Sequence, residues 1–342
     1  MKKPVTALFC LVAFCLFCAG VNAQKKKSSN LKTPEIPVRT GVTGTRYEID
    51  RSSPELQRLL DSAVSETLEK FKDKNLKPEN VAATLIDLRD ANNLKTASVR
   101  GEEKIYPASV VKLFYMNALE RWLENGRVKM TPDLERGLHD MIVDSSNEAT
   151  QYILDVLTGT SSGAELPAKE FEKWAYKRNV VNRFYAALGF QNINVNQKTF
   201  CEDAYGIEQQ FRGYKGNNRN MLTTNAVARL LSEIVLGKTN TPARTAAMMN
   251  LLKRDFSGTT KDNDDQAHGF TGIALINKGL KDAKLWSKAG WTSTTRHDAA
   301  YIETPDGLKF VLVVFTEKFA GERNIIPSIA EKVLDNLGKI NN

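Results

Sequence analysis

The chain has 342 residues, 42% of them hydrophobic, and a formal net charge of +8. That size and apolar content support a large buried core and exclude a chain too polar to fold. The charge is spread through mixed acidic and basic segments rather than blocked on one stretch of the folded part, which argues against a nucleic-acid partner. A basic surface suits anionic substrates only weakly.

Residues 1–23 read as a targeting segment. Lys2 and Lys3 precede an apolar run over 7–20, and Val21-Asn22-Ala23 matches a small-residue cleavage site. The run is short for a membrane span. Export to the periplasm or beyond is therefore expected, with a retained anchor as the alternative and no span in the mature chain. Residues 24–50 contain Lys25-Lys26-Lys27, Pro34 and Pro37 without helical periodicity, the pattern of a disordered basic tether. Three of the four cysteines, Cys10, Cys15 and Cys18, fall in the targeting segment. Cys201 alone remains, so no internal disulfide forms. It reads as a buried structural thiol, or else as a second reactive group. Residues 51–342 read as one catalytic domain.

Within it, the apolar spacing over 54–71 predicts an amphipathic helix. Two strands, 81–88 and 95–100, follow across an Arg89-Asp-Ala-Asn-Asn turn. A helix then begins near Ser109 with Val110, Leu113, Phe114, Met116 and Leu119 as its buried stripe. Helices are predicted over 132–143, 146–157, 168–188, 224–236 and 242–253. Strands return at 285–290, 298–303 and 310–316, and a last helix spans 325–337. Strands at both chain ends with helices between imply an α/β (α+β) fold: an antiparallel sheet built from both ends and flanked by helices. An all-helical lobe over about 114–255 completes it, with the site between the two.

The candidate chemistry starts at Tyr106-Pro-Ala-Ser-Val-Val-Lys-Leu-Phe. Ser109 and Lys112 stand at i and i+3, on one face of a helix. A serine hydroxyl needs a nearby base to become a nucleophile. A lysine serves only when desolvated or crowded by positive charge. The alternatives are an N-cap serine and a solvated lysine, although Val111, Leu113 and Phe114 argue against a solvent face. Ser145-Ser146-Asn147 follows, which could also merely cap a helix, and Lys288-Ala289-Gly290 comes last. His139, His268 and His297 are scattered without ligand spacing, so no metal and no cofactor is expected.

These elements, S-x-x-K, S-x-N and a K-T/S-G variant with Ala289, resemble in order the class A β-lactamases and their penicillin-binding relatives. The resemblance runs from about Leu56 to the C-terminal helix. It implies a β-lactamase/transpeptidase-like fold and an exported, monomeric serine hydrolase. It implies Ser109 as acyl acceptor, Lys112 as its base, Ser145 as proton shuttle and Asn147 as a partner for the substrate amide. It also implies Lys288 and Gly290 lining the substrate, and Ser109 and Trp291 supplying the oxyanion N–H groups. Arg296, placed just ahead of a strand, would meet the substrate carboxylate, or else is a turn residue. The implied substrate is a β-lactam, an activity tied to antibiotic resistance, or a peptidoglycan-derived peptide.

Deacylation in that family uses a Glu on an Ω-shaped loop. Glu202 sits in the expected place, with Asp203 and Glu208 as competitors. The family's E-x-x-L-N is absent, its asparagine position falling on Gly206, and Arg219-Asn220 stands where the family has Arg-Asp. The interval from Ser109 to Ser145 is short and that from Asn147 to Glu202 long, which places a helical insertion near 163–182. A D-alanyl-D-alanine peptidase, another acyl hydrolase, and a non-hydrolytic binder of β-lactams or peptidoglycan peptides remain as alternatives.

Overall fold

A computed structural model describes residues 52–340, so the expected targeting segment and tether lie outside the described residues. The chain begins with α1 (Pro54–Lys70), β1 (Val81–Asp87) and β2 (Lys95–Val99), then a 3-10 turn (Ala108–Val111) runs into α2 (Lys112–Glu124). Helices α3 (Pro132–Ile142), α4 (Asn147–Thr158), α5 (Ala168–Arg178), α6 (Val180–Ala187) and α7 (Ile207–Arg212) follow. After α8 (Thr224–Val235) and α9 (Pro242–Leu252) comes a short β3 (Lys253–Arg254) and α10 (Gly272–Asn277). The chain returns through β4 (Lys284–Trp291), β5 (Thr295–Glu303), β6 (Lys309–Glu317) and α11 (Ile325–Asn336).

The strands form one antiparallel sheet in the order β2-β1-β6-β5-β4-β3. β1 pairs with β6, Thr84 opposite Val313, so the two chain ends share the centre. Every residue of β1 is buried. Helices cover both faces, which removes the polar-out alternation of a half-solvated sheet. On one face Leu56 and Leu60 of α1 and Ile325, Ile329 and Val333 of α11 pack on Ala83, Leu85, Leu312, Val314 and Ala289. On the other, α8 lies across the sheet, and Thr84 Oγ1 donates to Thr224 Oγ1 at 2.8 Å. Burying each of those large aliphatic side chains contributes about 1.5–3 kcal/mol.

α2 departs from its expected single stripe. Eleven of its residues are buried, including Lys112, Asn117 and Glu120, because other helices surround it. The helix expected over 168–188 is two helices broken at Asn179. Its Nδ2 donates to Ala175 O at 3.0 Å, while its Oδ1 accepts from Asn182 and Asn196. A side chain that bonds its own helix end competes with continuation of the helix. β5 begins at Thr295, three residues earlier than its pattern suggested, which sets the direction of Arg296. Among the described residues no helix is long and apolar enough to cross a membrane.

Candidate active site

Ser109 lies in the 3-10 turn rather than in α2, half-buried. The turn opens on Ala108, whose φ of 46° is left-handed and costly for a residue with a Cβ. Neither the turn nor α2 has a side-chain N-cap, so Ser109 is not a capping serine. Gly290 explains what holds the turn in place. A Cβ there would lie 2.7 Å from Ser109 N and 2.8 Å from Pro107 O. The glycine lets β4 approach the backbone of the serine turn, a contact any larger residue would push apart.

The two lysines meet at Ser145. Lys112 Nζ donates to Asn147 Oδ1 at 3.0 Å, to Ser145 Oγ at 3.3 Å and to Ser145 O. Lys288 Nζ donates to Ser145 Oγ at 2.9 Å, to Gln266 Oε1 at 2.6 Å and to Ala289 O at 2.9 Å. One hydroxyl therefore bridges two amines. Ser145 itself has a left-handed φ of 59°. The cap of α4 is Ser146, whose Oγ accepts from Ala149 N at 3.0 Å. This leaves Ser145 and Asn147 free to face Lys112.

Burial removes the water that would stabilise both ammonium groups. It lowers the Lys112 amine to about 7, with Glu148 and Cys201 opposing. Lys288 is pushed well below the usual lysine range, by burial first and then by the charges of Lys112 and Arg254.

Three residues that hold this network carried no signal in the sequence. Gln266 Nε2 donates to Ile142 O at 2.9 Å and Val143 O at 2.8 Å, while its Oε1 accepts from Lys288 Nζ and Ala289 N. It ties the end of α3 to β4, from within a polar run that reads as a surface loop. Arg254 Nη2 donates to Ser287 O at 2.7 Å and Ile142 O at 3.2 Å, bracing the same junction. His297 Nε2 lies 3.0 Å from Tyr106 O, and its Nδ1 accepts from Thr316 N at 3.1 Å. That backbone donor assigns the ring proton to Nε2. Burial lowers the ring to about 4, so it stays neutral while anchoring the segment before Ser109.

Arg296 is not brought to this network. It faces the side of the sheet occupied by α1 and α11, because side chains alternate along β5 and His297 takes the site side. Its Nη1 donates to Asp264 Oδ1 at 2.8 Å, its Nη2 donates to Gly269 O, and the guanidinium stacks on Phe270 at 4.1 Å. It is buried, so the expectation of a substrate-facing arginine fails on strand phase. Neighbouring Trp291 packs its partly exposed ring against Phe270, 5.6 Å between centroids. Ala289 is fully buried in the apolar cluster, where a hydroxyl would face hydrocarbon.

The loop carrying Glu202 is closed by neutral groups. Asn220 Oδ1 accepts from Asn196 N at 3.1 Å and Gln197 N at 2.9 Å, and its Nδ2 donates to Gln197 O at 2.9 Å. Tyr115 OH donates to Gln197 O at 2.8 Å. The amide thus replaces the ion pair that the sequence lacks. Deeper in the loop, Arg178 Nη1 of inserted helix α5 pairs with Glu208 Oε2 at 2.7 Å, and Lys198 Nζ pairs with Asp155 Oδ2 of α4 at 2.6 Å, so the loop is clamped to both helices. Glu208 is therefore structural, and Asp203 pairs with Arg212. Glu202 is exposed and forms no hydrogen bond or ion pair among the described residues. Cys201 is exposed rather than buried, against expectation, with Asn147 Nδ2 3.5 Å from its Sγ.

Two grooves stand out. The larger, about 570 Å³, runs between α1 and the C-terminal segment and includes none of the site residues. The smaller, about 410 Å³, opens beneath Cys201 and Glu202, between the loop and the β4–β5 turn. His139, Asp140 and Asp144 bring possible ligand atoms within 4.8 Å of one another, a grouping that the sequence spacing had not suggested. All three side chains lie at the surface or half-buried at the end of α3.

The family described as "Beta-lactamase enzyme family" matches residues 63–337. No curated protein matches the sequence significantly. Among solved structures, a beta-lactamase from Sphaerobacter thermophilus DSM 20745 aligns with a TM-score of 0.58 at 18% identity, covering 83% of this chain and 99% of its own. A beta-lactamase from Chitinophaga pinensis DSM 2588 aligns at 0.55 and 18% identity, covering 80% and 99%. A PBP-A mutant in an acyl-enzyme complex with penicillin G aligns at 0.56 and 18% identity, covering 84% and 100%. At this identity the structural matches establish the fold alone.

Proposed function

The chain belongs to the beta-lactamase enzyme family, and from that premise we propose that it is an exported serine hydrolase acylated at Ser109, with the amide of a β-lactam as the bond it opens. The observation that carries this reading is the buried Lys112–Ser145–Lys288 network, with Lys112 lowered to about 7. A base works best when its pKa lies near the working pH. Neutral Lys112 takes the proton as Ser109 Oγ bonds to the carbonyl carbon. The carbonyl oxygen becomes an oxyanion between the Ser109 and Trp291 N–H groups. As the C–N bond breaks, Ser145 passes its proton to the leaving nitrogen and is re-protonated from Lys112 through the shared hydrogen bond. Water activated by Glu202 then releases the acyl group from Ser109.

One observation favours a second reading, a penicillin-binding peptidase that acylates and deacylates slowly. Glu202 is exposed and lacks any bond to the network that would fix its place. The intact mass of the protein after penicillin G exposure separates the two. Free penicilloate with unmodified protein supports a β-lactamase, and a lasting adduct on Ser109 supports the slow reading. Neither product would leave a non-hydrolytic binder or another acyl substrate.

A further inference from the structure

β3 pairs with β4 at Trp286 and Leu285 and ends there. Two side chains carry the edge of β4 further toward Gly290. Arg254 Nη2 donates to Ser287 O at 2.7 Å, and Gln266 Oε1 accepts from Ala289 N at 3.1 Å. Both side chains also donate to Ile142 O at the end of α3. A brace between α3 and β4 therefore exists without Gln266. What Gln266 adds is its 2.6 Å contact with Lys288 Nζ.

The amide is held from both sides. Its Nε2 faces two carbonyls, Ile142 O and Val143 O, and its Oε1 faces two donors, Lys288 Nζ and Ala289 N. Only a group with a donor on one side and an acceptor on the other satisfies all four. A carboxylate would set an oxygen against the two carbonyls, and an apolar side chain would strand every partner. Gln266 is buried, so water does not compete for these bonds.

The consequence falls on Lys288. Its Nζ contacts Gln266 Oε1, Ala289 O at 2.9 Å and Ser145 Oγ at 2.9 Å. The first two are carbonyl oxygens, which only accept, whereas the Ser145 hydroxyl accepts or donates. Whether Lys288 is an ammonium or a neutral amine, two of its N–H bonds stay on carbonyls. The position that gains or loses a proton then points at Ser145. Lys112, Arg254 and Asp298 act on Lys288 through their charge, but none of them bonds its Nζ, and Asp298 Oδ2 accepts instead from Thr271 N at 3.1 Å. Neutral acceptors, not a counter-charge, set the direction of this amine.

We propose that Gln266 is a positioning residue for acylation: by pinning Lys288 together with Ala289 O, it aims the exchangeable position of that amine at Ser145 Oγ. This steadies the hydroxyl that hands its proton to the leaving nitrogen. The proposal rests on the hydrolase reading for its effect on rate, but not for the coupling among Gln266, Lys288 and Ser145.

Gln266→Met removes both faces of the amide at similar volume. Single-turnover acylation by penicillin G should slow about 10- to 100-fold, the size of a small misplacement at a reacting group. The same substitution made in a Lys288→Ala protein should slow acylation by no more than about twofold, because residues that act through one another are non-additive. A mere brace would slow both backgrounds equally. Gln266→Glu keeps an acceptor for Lys288 but sets an oxygen against Ile142 O and Val143 O. It should acylate faster than Gln266→Met, whereas a brace role predicts no recovery. If no penicillin acylates Ser109, the hydrolase reading fails and urea unfolding decides the inference. The stability effects of Lys288→Met and Ser145→Ala should then be non-additive with Gln266 in place and additive once Gln266→Met is introduced. Equal slowing in both backgrounds, an unslowed Gln266→Met protein, or a Lys288–Ser145 coupling indifferent to Gln266→Met overturns the inference.

Discussion

The two halves of the catalytic region are built differently. Beside Ser109, the other groups proposed for acylation, Lys112, Ser145, Asn147 and Lys288, are buried or half-buried and tied to backbone or to a second side chain. Lys112, Ser145, Asn147, Lys288 and Gln266 form one connected set. The loop that carries Glu202 is secured at its neck by Asn220 and underneath by the Arg178–Glu208 pair, yet Glu202 itself is exposed. Preorganisation is thus concentrated on the groups proposed to serve bond formation to the serine, and the residue expected to release the acyl group has no fixed partner. An acid-base group contributes most when it is held in reach of the proton it moves. The contrast predicts fast acylation paired with weaker deacylation.

The most severe way to test the buried half is Ser109→Ala. All covalent labelling by penicillin-type probes should disappear, with circular dichroism and the melting temperature near those of the parent. Labelling that persists on a folded variant would remove Ser109 from the reaction. Lys112→Ala should slow acylation by about 10²–10⁴-fold, the usual worth of a positioned base. In the parent, acylation should rise with pH through about 7 and level off above it, since only the neutral amine accepts a proton. A pH-independent rate from 5 to 9 would contradict this role.

The same amine marks stability. Its folded pKa lies below its unfolded one, so the unfolded chain binds more protons between about 7 and about 10.5, and stability increases with pH across that window. The burden is fully present below about 7 and absent above about 10.5. Lys288, lowered in the same direction, adds to the slope. Urea unfolding at several pH values should show this rise, and Lys112→Met should flatten it.

The exposed half is probed by Glu202→Gln. If Glu202 activates water, the acyl-enzyme should persist about 10²-fold longer while acylation is little changed. An unaltered lifetime would show that release proceeds without it, and the paired state of Asp203 and Glu208 offers no ready substitute. The smallest effect is expected at the loop neck. Asn220→Ala strands the buried Asn196 and Gln197 N–H groups and should lower stability by about 1–3 kcal/mol. Denaturant midpoints would measure this. No change in midpoint would mean that the neck is held by other contacts.

The comparison also separates what was legible early from what was not. Local pattern predicts α1, β1, β2, α3, α4, α8, α9, β4, β6 and α11 within a few residues, the helices by their length and strong period and the five-residue β2 by the turn that joins it to β1. The order of the three motifs named Ser109, Lys112, Ser145, Asn147 and Lys288, and the fold brings the last four into one hydrogen-bonded set. Short helices α7 and α10 were missed, since six residues carry too little period to stand out from loop.

Chain chemistry alone therefore determined the family resemblance, the nucleophile and lysine candidates, and the sheet built from both ends. Those rest on residue types and on local spacing, which no distant contact alters. Tertiary structure decided which face Arg296 occupies, because a strand starting three residues earlier places it by the period of two. It also decided that Ser146 caps α4, that Cys201 is exposed, and that Gln266, His297 and Asn220 hold the site together. Each of these depends on partners far apart in the chain, such as Gln266 with Ile142 and Lys288. The lysine pKa shifts belong to the same class: burial by surrounding helices, not the residue or its neighbours in sequence, sets whether an amine is a solvated charge or a base.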